Sequence, residues 1–328
     1  MLLPLSIPSP PINSFEIGPV RIQFYALCIL AGIVAAVLIA NHRLNRRGAE
    51  RWVVLDFAFW AVLLGIVGAR IYHVLTHFND YFGPSANQHW WAIWEGGIAI
   101  FGALIGGAVG VAIASRFSGV RFLSFADAVA PGMLVAQGLG RFGNYFNHEL
   151  FGTPTTLPWG LEIESTNPAF PQGLPDGTLF QPTFLYEMIW NFAGAVVILL
   201  LERRLHLRWG RAFAVYLIWY GVGRSFTESI RLDPSDVFLG IRTNIWAAWA
   251  GIVIGLIILI VQARRHPGLE TSVYPPGRAP WEREGADEAA VSSKDTDSVY
   301  VLDADGAIVA DEPVEDPVPA TSGEPLRS

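Results

Sequence analysis

Arginines and carboxylates within apolar stretches are the residues of this sequence with the greatest capacity for chemistry. A charged side chain at the centre of a membrane-depth helix costs at least about 2.5–3.5 kcal/mol on insertion scales. Ion pairing between helices would explain any single charge, but the size of the set favours a functional site. The charges concerned are Arg70, Arg141, Arg224, Arg231, Asp56, Asp127, Glu149, Glu187 and Glu228.

The segment GRFGNYFNHELFG, residues 140–152, carries polar side chains at helical spacing. They are Arg141, Asn144, Asn147 or His148, and Glu149. Residues three and four positions apart lie on the same face of a helix. The pattern therefore predicts a polar face that includes an arginine and a carboxylate.

Two further segments repeat this arrangement. In YGVGRSFTESIR, Arg224, Glu228 and Arg231 form one charged stripe, and in QPTFLYE the polar residues end at Glu187, one turn into an apolar run. All three segments lie at the outer ends of the predicted helices, because the basic loops place the opposite ends in the cytoplasm. We therefore expect their side chains to meet.

Arginine is well suited to binding phosphate, because its guanidinium is always charged and offers a planar fork of donors. An intramembrane site with two or three arginines is typical of a phospholipid headgroup site. The neighbouring carboxylates would orient the arginines, and one of them could act as a general base.

The composition predicts the bilayer as the solvent of this chain. Its 328 residues are 52% hydrophobic and 16% charged, and the mean hydropathy is +0.38. About 20 apolar residues are needed to cross the hydrocarbon core. Runs of this kind cover residues 20–40, 52–76, 93–115, 122–145, 183–201, 211–230 and 243–263. The sequence therefore predicts an all-α integral membrane protein with seven transmembrane helices.

Basic residues set the predicted orientation, because Lys and Arg gather in cytoplasmic loops. The loops after the first, third, fifth and seventh predicted helices hold most of them. These are Arg43, Arg46, Arg47, Arg51, Arg116, Arg121, Arg203, Arg204, Arg208, Arg211, Arg264 and Arg265. We therefore expect the N-terminus outside, the C-terminus in the cytoplasm, and a long outer loop at residues 147–182.

The C-terminal segment differs sharply in composition from the rest. From residue 266 onward there are fourteen Asp and Glu against four Lys and Arg, with few apolar residues. Such a segment cannot bury enough apolar surface to fold. The sequence thus predicts a transmembrane catalytic domain at 1–265 and an acidic, disordered cytoplasmic tail at 266–328.

The same segments resemble the prolipoprotein diacylglyceryl transferase family. The match rests on GRFGNYFNHELFG and on further short motifs that occur in the family's order along the chain. These are FYAL at 24–27, GARIYH at 68–73, GGIAIFGALIGG at 96–107, AD and AP at 126–131, QPTFLYE and YGVGRSFTESIR. The resemblance covers roughly residues 19–263 and excludes the tail.

Membership would imply an enzyme that moves the diacylglyceryl group of phosphatidylglycerol onto the lipobox cysteine of a prolipoprotein. A thioether would form and glycerol phosphate would leave. By position in the family's motifs, Arg141 and Arg224 would bind phosphate and stabilise the leaving group. The other site residues implied by the resemblance are Tyr25, Asn144, Asn147, Glu149, Gly152, Glu228 and Arg231.

One position departs from the family pattern. Phe101 stands where many members have a histidine. A free thiol has a pKa near 8.5 and needs a base or cationic help to attack. The candidates for this base are Glu149, Glu228 and His148, or the arginines alone lower the thiol pKa.

Two other functions compete with this interpretation. A multi-span transporter or lipid-binding membrane protein would also hold buried ion pairs, although no inverted repeat is evident. An intramembrane serine protease would require a motif such as G-x-S-x-G, which is absent from the sequence. No motif indicates a metal or another cofactor. The expected partners are phosphatidylglycerol, signal peptides of prolipoproteins and the lipid bilayer of a bacterial plasma membrane, with no nucleic acid.

Overall fold

The computed structural model describes residues 6–83 and 88–282, together with the backbone of two strands, Val299–Leu302 and Ile308–Glu312. The chain divides into two compact units, Met1–Pro275 and Pro276–Ser328. The predicted disorder of the acidic tail falls largely on residues outside this description and stays a prediction. In the second unit the two strands, β7 and β8, pair as an antiparallel hairpin.

The first unit is mostly helical. Its helices are α1 (Phe24–Asn45), α2 (Val54–Thr76), the short α3 (Phe78–Phe82), α4 (Ile100–Ser118), α5 (Phe122–Phe146), α6 (Thr183–Leu205), α7 (Arg211–Ile230) and α8 (Thr243–Arg265). Three antiparallel hairpins lie between or before them. They are β1 (Ser14–Ile17) with β2 (Val20–Gln23), β3 (Leu161–Glu162) with β4 (Leu179–Phe180), and β5 (Val237–Phe238) with β6 (Ile241–Arg242).

Six helices of the described chain are long and apolar enough to cross a membrane. They are α1, α2, α4, α5, α6 and α8. This result is consistent with the predicted all-α membrane protein: the chain is mostly helical and has several candidate spans. Helix α7 has the length of a span but is not among the six, and it carries the polar stripe that contains Arg224 and Glu228.

The first and third predicted spans show the largest differences from the sequence prediction, because both begin later than expected. The first helix starts at Phe24 because Val20–Gln23 form strand β2. The third predicted span begins at Ile100 instead of residue 93, because Gly96 and Gly97 adopt φ values of +88° and +72°. Left-handed backbone of this kind is available to glycine and ends a regular helix.

Helix α5 lies at the centre of the bundle. It packs against α1, α6 and α7, while α2 pairs with α4 and α7 pairs with α8. Of the candidate spans it has the largest buried share, 56% of its most apolar window. Asp127, Pro131 and Asn144 are among its buried residues, and interruptions at membrane depth are tolerated where they face protein.

Small residues bring α2 and α4 into backbone contact. A Cβ atom on Gly106 would lie 2.0 Å from the Leu64 carbonyl oxygen, and one on Gly110 would lie 2.2 Å from that of Trp60. Neither distance is sterically possible for a real side chain. The glycines of α4 thus serve helix packing, as small residues commonly do in membranes.

Two of the charges in apolar segments have structural partners. The carboxylate of Asp127 accepts hydrogen bonds from the backbone N–H groups of Gly210 (2.7 Å) and Phe213 (2.9 Å), and so caps the start of α7. The Arg70 guanidinium donates to the carbonyl oxygens of Trp90 (2.9 Å) and Gly96 (2.6 Å). Arg70 therefore anchors the loop that leads into α4.

Candidate functional site

The three polar segments predicted from the sequence meet at one end of the bundle. This site end contains the last turns of α5 and α7 and the first turns of α6 and α8. Arg141 lies on α5, Glu187 on α6, and Arg224 and Glu228 on α7. These residues come from three helices, so side chains from separate stretches of sequence converge.

Glu187 joins the two central arginines. Its Oε2 atom lies 2.6 Å from Arg141 Nε and 3.8 Å from Arg224 Nη1. The Glu187 side chain is only 8% exposed, whereas that of Arg141 is 21% exposed. Glu187 therefore bridges the two guanidiniums in a mostly desolvated position.

Donors remain available on both arginines. Arg224 Nη1 is buried and makes no hydrogen bond within the described part of the chain. Arg141 uses Nε for Glu187 and Nη1 for Asn144 Oδ1 at 3.3 Å. Buried donors normally make hydrogen bonds. A guanidinium nitrogen that lacks one, next to a partly exposed arginine, is consistent with an anionic ligand.

Glu228 forms the second centre of the cluster. Its side chain is fully buried, with Oε2 2.7 Å from Arg224 Nη2 and 4.0 Å from Arg231 Nη1. Its Oε1 lies 2.8 Å from Arg242 Nε and accepts a hydrogen bond from Asn244 Nδ2 at 3.0 Å. The carboxylate thus holds three arginines in fixed orientations.

Arg242 and Asn244 were not predicted as site residues. Arg242 also donates to the Arg231 carbonyl oxygen (2.9 Å), and Asp233 contacts both arginines. The available signal was the position of Arg242, a basic residue directly before an apolar span at the end assigned to the outside. The positive-inside rule disfavours such a residue there.

Arg231 stays charged in this setting. Burial of its guanidinium would lower the pKa, but the hydrogen bond and charge of Asp233, with the charges of Glu187 and Glu228, raise it above the ordinary arginine value. Arg231 is therefore a permanent cation of the cluster.

Glu149 lies beside Arg141 without an ion pair in the described chain. Its Oε1 accepts hydrogen bonds from Asn144 Nδ2 (2.8 Å) and Asn147 Nδ2 (3.3 Å). The flanking residues His148 and Leu150 have φ values of +52° and +60°. Left-handed backbone at non-glycine residues costs about 1–3 kcal/mol each and is frequent at functional sites. This turn folds Glu149 back onto α5, where its backbone N–H bonds to Asn144 O at 3.2 Å.

His148 is directed away from the arginines. Its Nδ1 lies 3.0 Å from Glu164 Oε2, and its Nε2 lies 2.9 Å from the Pro10 carbonyl oxygen. Its own carbonyl accepts a hydrogen bond from Asn167 Nδ2. Both ring nitrogens are therefore engaged in joining the N-terminal segment to the loop at 147–182.

Gly152 and Tyr25 hold the site together by packing. A Cβ atom on Gly152 would lie 2.9 Å from Ile230 O, and its backbone N–H donates to Gln181 O at 2.9 Å. The ring of Tyr25, in the first turn of α1, lies against Gly143, whose Cβ would be 2.8 Å from Tyr25 Cδ2. These contacts place Tyr25 next to the turn of α5 that bears Asn144.

Phe101 lies on the α2–α4 pair. Its ring is 6.2 Å from that of Tyr72, and its helix has few contacts with α5. The position at which the sequence departs from the family pattern is thus carried by the α2–α4 pair and not by the helices that carry the arginines.

An apolar groove of about 820 Å³ opens between α6 and α7 beside the cluster. It is lined by Trp190, Trp219, Phe226 and Ile230 among others. Trp190, Gly223 and Thr227 line both this groove and the small cleft that contains Glu187 and Arg224. The groove and the charged cluster are therefore adjacent.

The two tryptophans of the groove form a reciprocal pair. Their rings stack with centroids 4.4 Å apart, and each indole N–H donates to the backbone carbonyl of the other residue, at 3.0 and 2.9 Å. These bonds fix the rings where α6 and α7 face each other. They form a rigid wall between the groove and the bundle interior.

Comparison with known proteins identifies the family. Residues 13–261 match the family model described as prolipoprotein diacylglyceryl transferase. A phosphatidylglycerol–prolipoprotein diacylglyceryl transferase of Leifsonia xyli subsp. xyli is 59% identical over 313 residues, covering 92% of each chain. The protein of the same name from Paenarthrobacter aurescens is 45% identical over 275 residues, covering 81% of this chain and 86% of the relative. Because the match includes every segment of the charged cluster, this chain belongs to the prolipoprotein diacylglyceryl transferase family.

Proposed function

We propose that this chain transfers the diacylglyceryl group of phosphatidylglycerol to the cysteine thiol of a prolipoprotein, with the phosphate bound by Arg141 and Arg224. Family membership and the names of the relatives support the reaction. One observation supports the site above all others: both arginines lie within 4 Å of the same buried Glu187 oxygen. The alternative of a transporter or lipid-binding protein is not favoured.

The acyl chains of the donor lipid fit the groove between α6 and α7. The lining of the groove is almost entirely apolar, and it adjoins the cleft that contains Arg224. A lipid placed there would have its tails against Phe226 and Ile230 and its phosphate at the guanidiniums. Such a pose needs no charge to cross the apolar part of the bundle.

The reaction displaces phosphate from carbon. The thiolate sulfur attacks the carbon of the diacylglyceryl group that carries the phosphate ester. A C–S bond forms, and the C–O bond between this carbon and the phosphate breaks. The electron pair of that bond stays on the phosphate oxygen, and glycerol phosphate leaves. Arg141 and Arg224 stabilise the charge that develops on this oxygen, a role in which fixed cations act most strongly.

Glu149 is the proposed acceptor of the thiol proton. Of the three candidates, Glu228 is committed to arginines and His148 to the outer loop. Glu149 has hydrogen bonds only to two side-chain amides in the described chain. The nearby arginines assist by favouring the thiolate.

Replacing Glu149 separates these candidates. Glu149→Gln keeps the size and the acceptor oxygen but removes the proton acceptor, so we expect transfer to fall about 100-fold or more, as for loss of a general base. His148→Gln should retain a rate close to wild type. Both rates are measured with a lipobox peptide and radiolabelled phosphatidylglycerol, after folding is checked by size-exclusion chromatography. The reverse ranking of the two variants would assign the proton to His148.

The direct test of the activity uses the wild type and Phe101→His in one detergent preparation. We expect the wild type to transfer labelled diacylglycerol to the peptide. Phe101→His should stay close to the wild-type rate, because residue 101 lies against Tyr72 on the α2–α4 pair. An increase above about tenfold would show that α4 can supply a base. An inert wild type with every anionic lipid tried would overturn the proposed function.

The proposed membrane topology follows from the charge of the loops and the length of the helices. We propose that α7 is a seventh span, with the N-terminus outside, the C-terminus in the cytoplasm and the site end at the outer leaflet of a bacterial plasma membrane. The acceptor would then reach the site with its signal peptide in the same bilayer. Residues 1–265 form the catalytic domain in this scheme, and residues 266–328 form the cytoplasmic tail.

A further inference from the structure

The end of the bundle opposite the site holds a second basic cavity. This α1–α6 crevice has a volume of about 690 Å³ and is lined by Leu38, Arg43, Arg46, Leu199, Glu202 and Arg203, with further basic residues at its rim. It lies between α1 and α6, which both pack on α5. Glu187 and Glu202 are fifteen residues apart on α6, so about 22 Å of helix separates the crevice from the arginine cluster.

Positive charge exceeds negative charge among the residues that line the crevice, and this excess remains when Glu270 of an adjoining pocket is included. Glu202 binds Arg47 at 2.6 Å and also pairs with Arg43 and Arg208. The side chains of Arg43 and Arg47 are only 10% and 8% exposed. The lining therefore contains five arginines, Arg43, Arg46, Arg47, Arg203 and Arg208, against one glutamate.

The buried arginines form a rigid base for the crevice. Arg43 donates from Nε to Ala128 O and from Nη2 to Asp127 O, both at 2.9 Å, and Arg47 donates to Ser124 O at 3.4 Å. These carbonyls belong to the first turns of α5. Arg46, directly after α1, and Arg203, on α6, are in contrast exposed and line the cavity. Because Glu202 pairs with the other three arginines of the lining, these two are the cations available to a ligand among the described residues.

The crevice is apolar on the side toward the middle of the bundle. Leu38 is 52% exposed and Leu199 is 39% exposed, and both precede the arginines and glutamate by about one turn. A ligand that satisfies both sides must carry an anionic group next to hydrocarbon. Basic cavities between membrane helices bind lipid headgroups in this way.

We propose that the α1–α6 crevice binds an anionic phospholipid, with its phosphate at Arg46 and Arg203 and its acyl chains along Leu38 and Leu199. This site is separate from the donor site and does not depend on the proposed reaction. In the proposed orientation it draws its lipid from the inner leaflet.

Photocrosslinking in nanodiscs tests the proposal. The full chain is placed in phosphatidylcholine discs that contain photoreactive phosphatidic acid, and the labelled peptides are mapped. We expect labels at residues 38–47 and 199–208. Arg46→Gln with Arg203→Gln should reduce them about 20- to 30-fold, since each basic residue contributes about 1 kcal/mol to anionic lipid binding. Labels at the α6–α7 groove report the donor site separately.

The matched control is Arg264→Gln with Arg265→Gln. These exposed arginines end α8 and carry the same charge, but they do not line the crevice. Their replacement should leave the labels at residues 38–47 unchanged. If both double variants lost these labels equally, the labelling would reflect general attraction of the lipid to the basic surface. That result would overturn the proposal.

Two further arms distinguish other occupants. Inorganic phosphate should not displace the lipid, because it lacks the acyl chains that contact Leu38 and Leu199. Displacement by phosphate alone would identify a simple anion site instead. A chain ending at Glu282 should label as the full chain does. A large increase in labelling on truncation would show that the acidic C-terminal segment occupies the crevice, and the lipid assignment would fail.

Discussion

Replacing either Arg141 or Arg224 with lysine should abolish most of the transferase activity although the charge is kept. We expect kcat to fall about 100- to 1,000-fold, the loss typical of removing one preorganised donor to a developing anion. Arg141 contacts Glu187 through Nε, and Arg224 contacts Glu228 through Nη2, while Arg224 Nη1 makes no hydrogen bond in the described chain. Lysine offers a single ammonium, which the neighbouring carboxylate would hold. Initial rates of diacylglyceryl transfer to a lipobox peptide measure the effect.

The division of the loss between kcat and KM adds a second test. Loss of a cation that only holds the headgroup raises KM, whereas loss of one that stabilises the leaving phosphate lowers kcat. Arg224 Nη1 is buried and makes no hydrogen bond in the described chain, so the lysine variant at this position should show its effect mainly in kcat. Arg264→Lys, at the opposite end of the bundle, is the control and should behave as wild type. Full activity in both site variants would remove these arginines from the proposed mechanism.

The sequence predicted which residues belong to the cluster better than it predicted how they pair. Arg141, Glu187, Arg224 and Glu228 were identifiable because a charge in an apolar segment must find a partner or a ligand. Helical spacing then placed Arg224 and Glu228 on one face. Which carboxylate joins which arginine depends on the packing of α5, α6 and α7, and no local pattern encodes that packing.

Loop geometry was the part that the sequence could not predict. His148 and Glu149 are neighbours and were both candidates for the base. A turn with left-handed backbone at His148 directs its ring to Glu164 and Pro10 but returns Glu149 to α5. Arg242 was not predicted as a site residue for a related reason. The hairpin of β5 and β6 carries it back to Glu228.

The start of the third predicted span was also not predicted correctly. Residues 93–99 contain Ile93, Trp94 and Ile98 beside a single charge, so an apolar run read from the sequence extends through them. Positive φ at Gly96 and Gly97 interrupts the helix, and Arg70 binds both of their carbonyl oxygens. A glycine pair tolerates either conformation, and the buried guanidinium on α2 decides which one occurs.

Glu228→Gln should be the most destabilising single change in the cluster. The carboxylate is fully buried and lies within 4.0 Å of three guanidiniums, those of Arg224, Arg231 and Arg242. Glutamine keeps the volume but leaves these cations without their counter-charge. Breaking a buried ion pair costs about 3–5 kcal/mol, so the thermal unfolding midpoint in detergent should fall by many degrees.

Glu149→Gln provides the matched control for this stability effect. It makes the same chemical change at a half-buried site carboxylate that has no ion pair in the described chain, so its unfolding midpoint should stay near the wild-type value. The double variant Glu228→Gln with Arg242→Gln should recover part of the loss, because residues in one network couple energetically. A Glu228→Gln protein as stable as wild type would show that the carboxylate is not the structural centre of the arginines. It would then return Glu228 to the candidates for the thiol base. The two carboxylates thus separate by experiment into one that holds the cations and one that takes the proton.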